Sequence, residues 1–224
     1  MAGHSKWSNI KHRKGKADAA RGKVFTKIGK EIAMAVREGG SDPAHNSRLR
    51  DVIAKARANN MPNDNIDRSI KKASGELGDV VYEEITYEGY AAGGIAVLLK
   101  VVTDNRNRTA SDVRHIFDKN GGSLGQSGSV GYLFNYQGII LIEISDEGYE
   151  IITAPGDFSA VRDALESDGY SFASAERAYV PQMQNDINDE ETMEKLTKLL
   201  EMLDDNDDVV SVYHNANLPD EEEE

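Results

Sequence analysis

The apolar residues of this chain change their period once, near Gly75, and that change most limits what it can fold into. Before it they recur at helical spacing. Val24, Ile28, Ile32 and Val36, with Ala20 and Ala35 in support, predict a first helix from Lys16 to Glu38 that ends at Gly39-Gly40. Asp42 as N-cap and Pro43 at the first helical position predict the start of a second, carrying Leu49, Val52, Ile53 and Ala56. Pro62 disfavours helix at the residue before it, so Met61-Pro62-Asn63 is a break. A third helix follows through Ile66, Ile70 and Ala73 to Gly75. Helices this short need burial against one another, so residues 1–77 are expected to form a small helical domain.

After Gly75-Glu-Leu-Gly78 the pattern is that of strands and short helices. Tyr82–Tyr87 and Ile95–Thr103 read as strands, and the continuous run Ile95–Leu99 suits a central one. Thr109 with Asp112 reads as a capping box for a helix carrying Val113, Ile116 and Phe117. Val130–Tyr136 alternates, with Val130, Tyr132, Phe134 and Tyr136 assigned to one face. Gly138 is read as opening a new strand, Ile139–Ile144, followed by Tyr149–Thr153. Asp157 caps a helix ended by Gly169; Ser171–Val180 is a strand, and Met183–Asp189 a polar connector. Met193, Leu196, Leu200 and Leu203 mark the last helix, Val209–Tyr213 the last strand, and Glu221–Glu224 a disordered acidic tail. The class is α+β.

Charge changes sign where the period does. Residues 1–75 hold 17 Lys and Arg against 7 Asp and Glu, while the remainder holds 9 against 32, for a net charge of −13. A positive first part on an acidic chain calls for a polyanion partner. An apolar content of 39% is enough for a core, and the absence of cysteine excludes disulfides and thiolate metal sites. The longest apolar runs are too short to span a membrane. No secretory signal fits around Lys11–Lys16, and a transit peptide is disfavoured by Trp7 and the periodicity that follows it. No zinc-protease spacing, nucleophile elbow or phosphate loop occurs, so neither an enzyme nor a cofactor is expected.

The candidate contacts to nucleic acid are Lys6, Trp7, Lys11, His12, Arg13, Lys14, Lys16, Arg21, Lys23, Lys27 and Lys30 at the start of the chain, then Arg106, Arg108 and Arg114. Lysine and arginine neutralise phosphates and release counterions. Lys16, Lys23, Lys27 and Lys30 can share one helix face away from the Val24/Ile28/Ile32 stripe. Trp7 either stacks on unpaired bases or anchors the segment as an apolar residue. The arginines near Asn105 and Asn107 either contact phosphate or pair with the acidic body. The Gly121–Gly131 segment, with five glycines, is either a phosphate cradle or a plain turn, the turn being preferred. Asp204-Asp-Asn-Asp-Asp208 resembles the start of a calcium loop but lacks its glycine and its last acid, so a solvated turn is expected. Asp204 and Asp205 close a helix where the dipole disfavours acids, and the sequence offers no reason for them.

Several stretches resemble one family. They are Ala2-Gly-His-Ser-Lys-Trp-Ser-Asn-Ile-Lys-His-Arg-Lys, Asn46-Ser-Arg-Leu-Arg, Ala58-Asn-Asn-Met-Pro-Asn-Asp-Asn-Ile, Tyr87-Glu-Gly-Tyr, Thr103-Asp-Asn-Arg-Asn-Arg-Thr, Val113-Arg-His-Ile-Phe and Val212-Tyr-His-Asn. Together they resemble the YebC family, which includes a mitochondrial translational activator. The resemblance implies a helical N-terminal domain followed by two ferredoxin-like α+β domains, the third inserted in the second. On this chain that means 1–77, then 78–137 plus 183–217, with 138–182 inserted and 218–224 as a tail. It implies a non-enzymatic, cytoplasmic regulator of gene expression that binds DNA. The alternative is a ribosome-associated translation factor that binds ribosomal RNA and relieves stalls at proline-rich stretches. The chain departs from the family pattern at Ser145-Asp-Glu-Gly148, which replaces an acidic, alanine-rich helix. The sheet face beneath then needs other cover.

Overall fold

The structure is a computed structural model, and it describes residues 17–75, 81–144 and 147–218. Residues 17–75 form three helices, α1 (Ala17–Gly39), α2 (Ser47–Ala58) and α3 (Asn63–Ala73). Both α2 and α3 lie against α1. Ile28, Ile32, Ala35 and Val36 of α1 are buried with Leu49, Val52, Ile53 and Ala56 of α2 and Ile66 of α3. Full burial of an Ile or Leu side chain is worth about 1.5–3 kcal/mol, so this shared core stabilises helices that would be marginal alone.

The second helix begins later than the sequence pattern places it. Asn46, not Asp42, is the N-cap of α2: its Oδ1 accepts the Leu49 N–H at 3.0 Å. The same amide donates to the carbonyls of Ala35 and Gly40 at 2.7 and 2.8 Å, tying the end of α1 to the start of α2. Gly39 makes room for it, since a Cβ there would stand 2.7 Å from the Asn46 amide. Asp42 closes a turn instead, accepting the Ala44 N–H at 2.9 Å and meeting His45 Nδ1 at 2.7 Å.

The rest of the described chain runs β1 (Glu83–Tyr90), β2 (Ala96–Thr103), α4 (Arg106–Lys119), β3 (Ser123–Leu124), β4 (Phe134–Ile144), β5 (Glu147–Thr153) and α5 (Phe158–Ser167). There follow β6 (Phe172–Pro181), β7 (Asn185–Asp186), α6 (Glu190–Asp205), β8 (Val209–His214) and β9 (Ala216–Asn217). An antiparallel sheet has the order β3-β1-β2-β8, and a second has the order β5-β4-β6. A short parallel pair joins β7 to β9. Residues 134–181 supply the whole second sheet and interrupt the chain between β2 and its neighbour β8. This is an α+β molecule with a helical N-terminal region.

Both faces of β2 are covered, as its continuous apolar run predicts. Val97, Leu99 and Val101 pack with Val113 and Phe117 of α4 and with Leu196, Leu199 and Leu203 of α6. Ala96 and Leu98 on the other face pack with Val130 and Phe134. Three local expectations fail here. Gly131–Leu133 is a 3-10 turn, so Val130 and Phe134 are buried while Tyr132 is exposed. Those residues do not share a face. Asn105, not Thr109, caps α4, its Oδ1 accepting the Arg108 N–H at 3.1 Å; Thr109 lies inside the helix, fully buried. Strand β4 runs unbroken through Gly138, where a Cβ would stand 2.7 Å from the Phe158 ring. That glycine marks a close approach of α5, not a strand end.

The second sheet packs α5 on one face, where Ile140 and Ile142 are buried with Phe158. On the other, Ile139, Leu141, Ala178 and Val180 are buried and packed with Ala173 and Tyr213, the latter from β8 of the larger sheet. The ring of Tyr179 lies between those of Tyr136 and Tyr213, at 4.8 and 5.4 Å, and joins the two sheets. Among the described residues no helix is long and apolar enough to cross a membrane.

Candidate nucleic-acid interface

The lysine face of α1 meets the acidic turn between α6 and β8. Lys23, Lys27 and Lys30 stand four and three residues apart, so they line one side of the helix. Lys23 Nζ pairs with the Asp205 carboxylate. Lys27 Nζ pairs with the Asp204 carboxylate at 3.1 Å and also donates to the Asp204 carbonyl. Lys30 Nζ donates to the Asp207 carbonyl at 2.8 Å and pairs with Asp208 at 2.6 Å. Lys27 and Lys30, candidate phosphate contacts in the sequence, are consequently buried against this turn. The pairing also explains why Asp204 and Asp205 close α6, whose last turn holds no basic residue. The lysines supply the positive charge that the helix end needs, and they satisfy carbonyls that a helix terminus leaves open.

Asp208 is the hub of this contact. Its carboxylate accepts from Lys30, from Arg108 Nη2 at 2.8 Å, from Thr109 Oγ1 at 2.7 Å and from Thr103 Oγ1 at 3.2 Å. Arg108 and Thr109 belong to the first turn of α4, so the carboxylate they hold lies near a helix N-terminus, where the dipole favours an anion. Burial pushes its carboxyl pKa up, but the hydrogen bonds from Arg108, Lys30 and Thr109 outweigh this and hold it at about 2. The structure thus brings two of the sequence candidates, Lys30 and Arg108, onto one carboxylate. Arg108 also pairs with Asp104 at 2.9 Å.

The remaining candidates are distributed as follows. Arg21 is exposed on the first turns of α1. Arg106 is two-thirds exposed and lies 3.7 Å from Glu83. Arg114 is exposed on α4. Arg106 and Arg114 both lie near Tyr87, whose buried hydroxyl makes no hydrogen bond. Burial raises the Tyr87 pKa, and the two guanidiniums oppose that rise. Lys6, Trp7, Lys11, His12, Arg13, Lys14 and Lys16 lie outside the described residues.

Two more charge clusters, neither evident from motif spacing, hold the helical domain in place. Asp51 of α2 is clasped by Arg162 of α5 and Arg177 of β6, with Ser159 Oγ donating at 3.1 and 3.2 Å. Arg177 also donates to the Pro155 carbonyl at 2.8 Å, and both guanidiniums lie over the Phe158 ring. Arg48 of α2 bridges Glu38 and Glu84.

The glycine-rich segment has an internal anion. The backbone N–H groups of Gly128, Val130 and Gly131 donate to the buried Glu88 carboxylate at 2.7, 2.7 and 2.6 Å. Burial raises the Glu88 pKa, but these three donors lower it by more. A turn locked on a carboxylate replaces the phosphate cradle that the glycines could have formed. The carboxylates of Asp204, Asp205 and Asp208 are likewise paired with cations, and no metal-holding cluster of His, Asp or Glu occurs among the described residues.

Comparison with known proteins gives a consistent result. The profile described as "TACO1/YebC protein N-terminal domain" matches residues 5–76. That described as "TACO1/YebC second and third domain" matches residues 82–147 and 142–216. The two pieces overlap over residues 142–147. A "Probable transcriptional regulatory protein" of Acetivibrio thermocellus is 53% identical over 238 residues, covering 96% of this chain and 98% of the relative. One from Ruminiclostridium cellulolyticum is 54% identical over 247 residues and is covered throughout, as is this chain. A crystal structure of a conserved hypothetical protein from Aquifex aeolicus superposes with a TM-score of 0.83 at 42% identity, covering 92% of this chain and 93% of that one.

Proposed function

This chain belongs to the TACO1/YebC family, and we propose that it is a non-enzymatic regulator of gene expression that grips the phosphate backbone of nucleic acid. The observation that carries this reading is the charge partition, 17 basic against 7 acidic residues in the first 75 and 9 against 32 thereafter. Basic residues clustered ahead of an acidic body give salt-sensitive affinity for polyanions, and the acidic body directs that affinity to one end of the molecule. Lys6, Lys11, Arg13, Lys14 and Lys16 are the principal phosphate contacts, with His12 beside them. Arg21, Arg106 and Arg114 add positive charge on the described surface. That the relatives are named probable transcriptional regulatory proteins supports a DNA target. A specific feature favours ribosomal RNA as the second reading: Trp7 between Lys6 and Lys11 is an indole suited to an unstacked base, which RNA loops offer and duplex DNA does not.

The test compares binding of the full chain to purified ribosomes and to promoter DNA at matched salt. Discrimination of one duplex over others by about 4 kcal/mol or more supports a DNA-reading regulator. Ribosome binding without duplex preference supports the RNA reading. Replacing Lys11, Arg13, Lys14 and Lys16 together by Gln should reduce the salt slope of binding by roughly 3–4. An unchanged slope would remove the segment from the interface.

A further inference from the structure

The three lysine pairs between α1 and the α6–β8 turn are not alike. Asp208 is 7% exposed and receives four side-chain donors, whereas Asp204 and Asp205 are 75% and 74% exposed and each meets one lysine side chain. The contact therefore has a closed inner end and an outer end whose carboxylates are open, with Lys23 half-exposed and Lys27 covered by the turn itself. The outer carboxylates also stand on a helix C-terminus, where the dipole works against them. Nothing local holds negative charge there; the lysines of α1 do. A turn with four carboxylates in five residues, set along lysines one helical turn apart, presents to α1 the kind of charge that a phosphate backbone presents.

We propose that the Lys23–Lys27 face is an anion-binding surface that the protein occupies with its own acidic turn, and that a phosphate polyanion exchanges with Asp204 and Asp205 there. Lys30, Asp208 and Arg108 stay joined and act as the pivot. The exchange unclasps the outer end of the turn, so the free protein is partly self-inhibited. This deepens the nucleic-acid reading above and rests on it for the identity of the polyanion. Released Asp204 and Asp205 take up cations from solution, which offsets part of the counterion release from the nucleic acid. The wild-type salt slope is then shallower than its lysines alone would give.

The experiment uses the full chain and the variant D204N/D205N, whose altered side chains are exposed; because Lys27 is itself buried, urea unfolding of the variant checks that it stays folded. A control, E166Q/D168N, removes two exposed acids from another unit and so corrects for the general change in net charge. Probes are a single-stranded RNA, a DNA duplex and inorganic polyphosphate. D204N/D205N should bind at least about fivefold tighter than the control, the low end of ordinary site-to-site coupling. Its salt slope for duplex DNA should be steeper than that of the control. In the wild-type protein, amide exchange at residues 204–207 should quicken on adding polyanion while α1 slows. Equal gains in variant and control, with no change at 204–207, would overturn the proposal. Polyphosphate opening the turn while RNA and DNA fail to bind would keep the latch and reject the nucleic-acid function. RNA or DNA binding with the turn unmoved would do the reverse.

Discussion

Asp208 shows how much of this molecule depends on single buried charges. Four side chains donate to its carboxylate, and two of them carry positive charge. Asp208→Asn would leave Lys30, itself buried, facing an amide that cannot compensate it. Removing one partner of a buried pair costs about 3–5 kcal/mol, and urea unfolding at neutral pH should show a loss in that range. The pH dependence follows from the same geometry. The folded carboxyl titrates at about 2, below its ordinary 3.8. A depressed acid contributes stability that is fully present above its unfolded pKa and is lost as pH falls through the folded one. Wild-type stability should therefore decline between pH 4 and pH 2 more steeply than that of Asp208→Asn, whose amide does not titrate there. Parallel curves would show that the hub is not the acid-sensitive group.

At the scale of elements, the structure depends on how α2 is held. Asp51 is 12% exposed at its side chain, and Arg162 is 5% exposed. Asp51→Asn should cost about 3 kcal/mol in urea unfolding, and amides of α2 and α5 should lose protection together. A loss below about 1 kcal/mol would mean that the pair behaves as a solvated surface contact. Which helices exist was legible from apolar spacing, because the buried stripe of α1 is local information. Their starts were not. Asn46 and Asp42 are both good caps, and the choice turns on Ala35 and Gly40, which Asn46 reaches only once α1 has folded back. Gly138 read as a boundary because a missing side chain looks alike whether it ends a strand or admits the Phe158 ring. The lysine face of α1 was legible as a face, but its counterpart lies 177–182 residues further on. The readable trace of that contact was the pair of acids on the wrong end of a helix.

For the whole molecule, the charge partition that points to a polyanion also joins the protein to itself. Lys23, Lys27 and Lys30 attach the basic region to the larger sheet, while Asp51 attaches it to the smaller one. Lys23–Asp205 is exposed on both sides, worth about 0–1 kcal/mol and readily screened; Lys30–Asp208 and the Asp51 pairs are buried and salt reaches them poorly; Lys27–Asp204 joins a buried lysine to an exposed acid. Raising salt from 0.1 M to 1 M shortens the screening length from about 10 Å to 3 Å. If the buried pairs set the domain arrangement, the radius of gyration of the wild-type protein by small-angle scattering should stay constant over that range. The double variant D51N/D208N, which keeps every exposed pair, should be compact at 0.1 M and expand towards 1 M. Wild-type expansion at high salt would reverse the assignment, making the Lys23 and Lys27 pairs the main tether. Constancy in both proteins would place the tether in the apolar contacts of the helical region. The distinction matters for function because binding to a phosphate backbone is itself measured against salt. Only a body that keeps its shape across the titration allows the slope to be read as phosphates contacted rather than as domains coming apart.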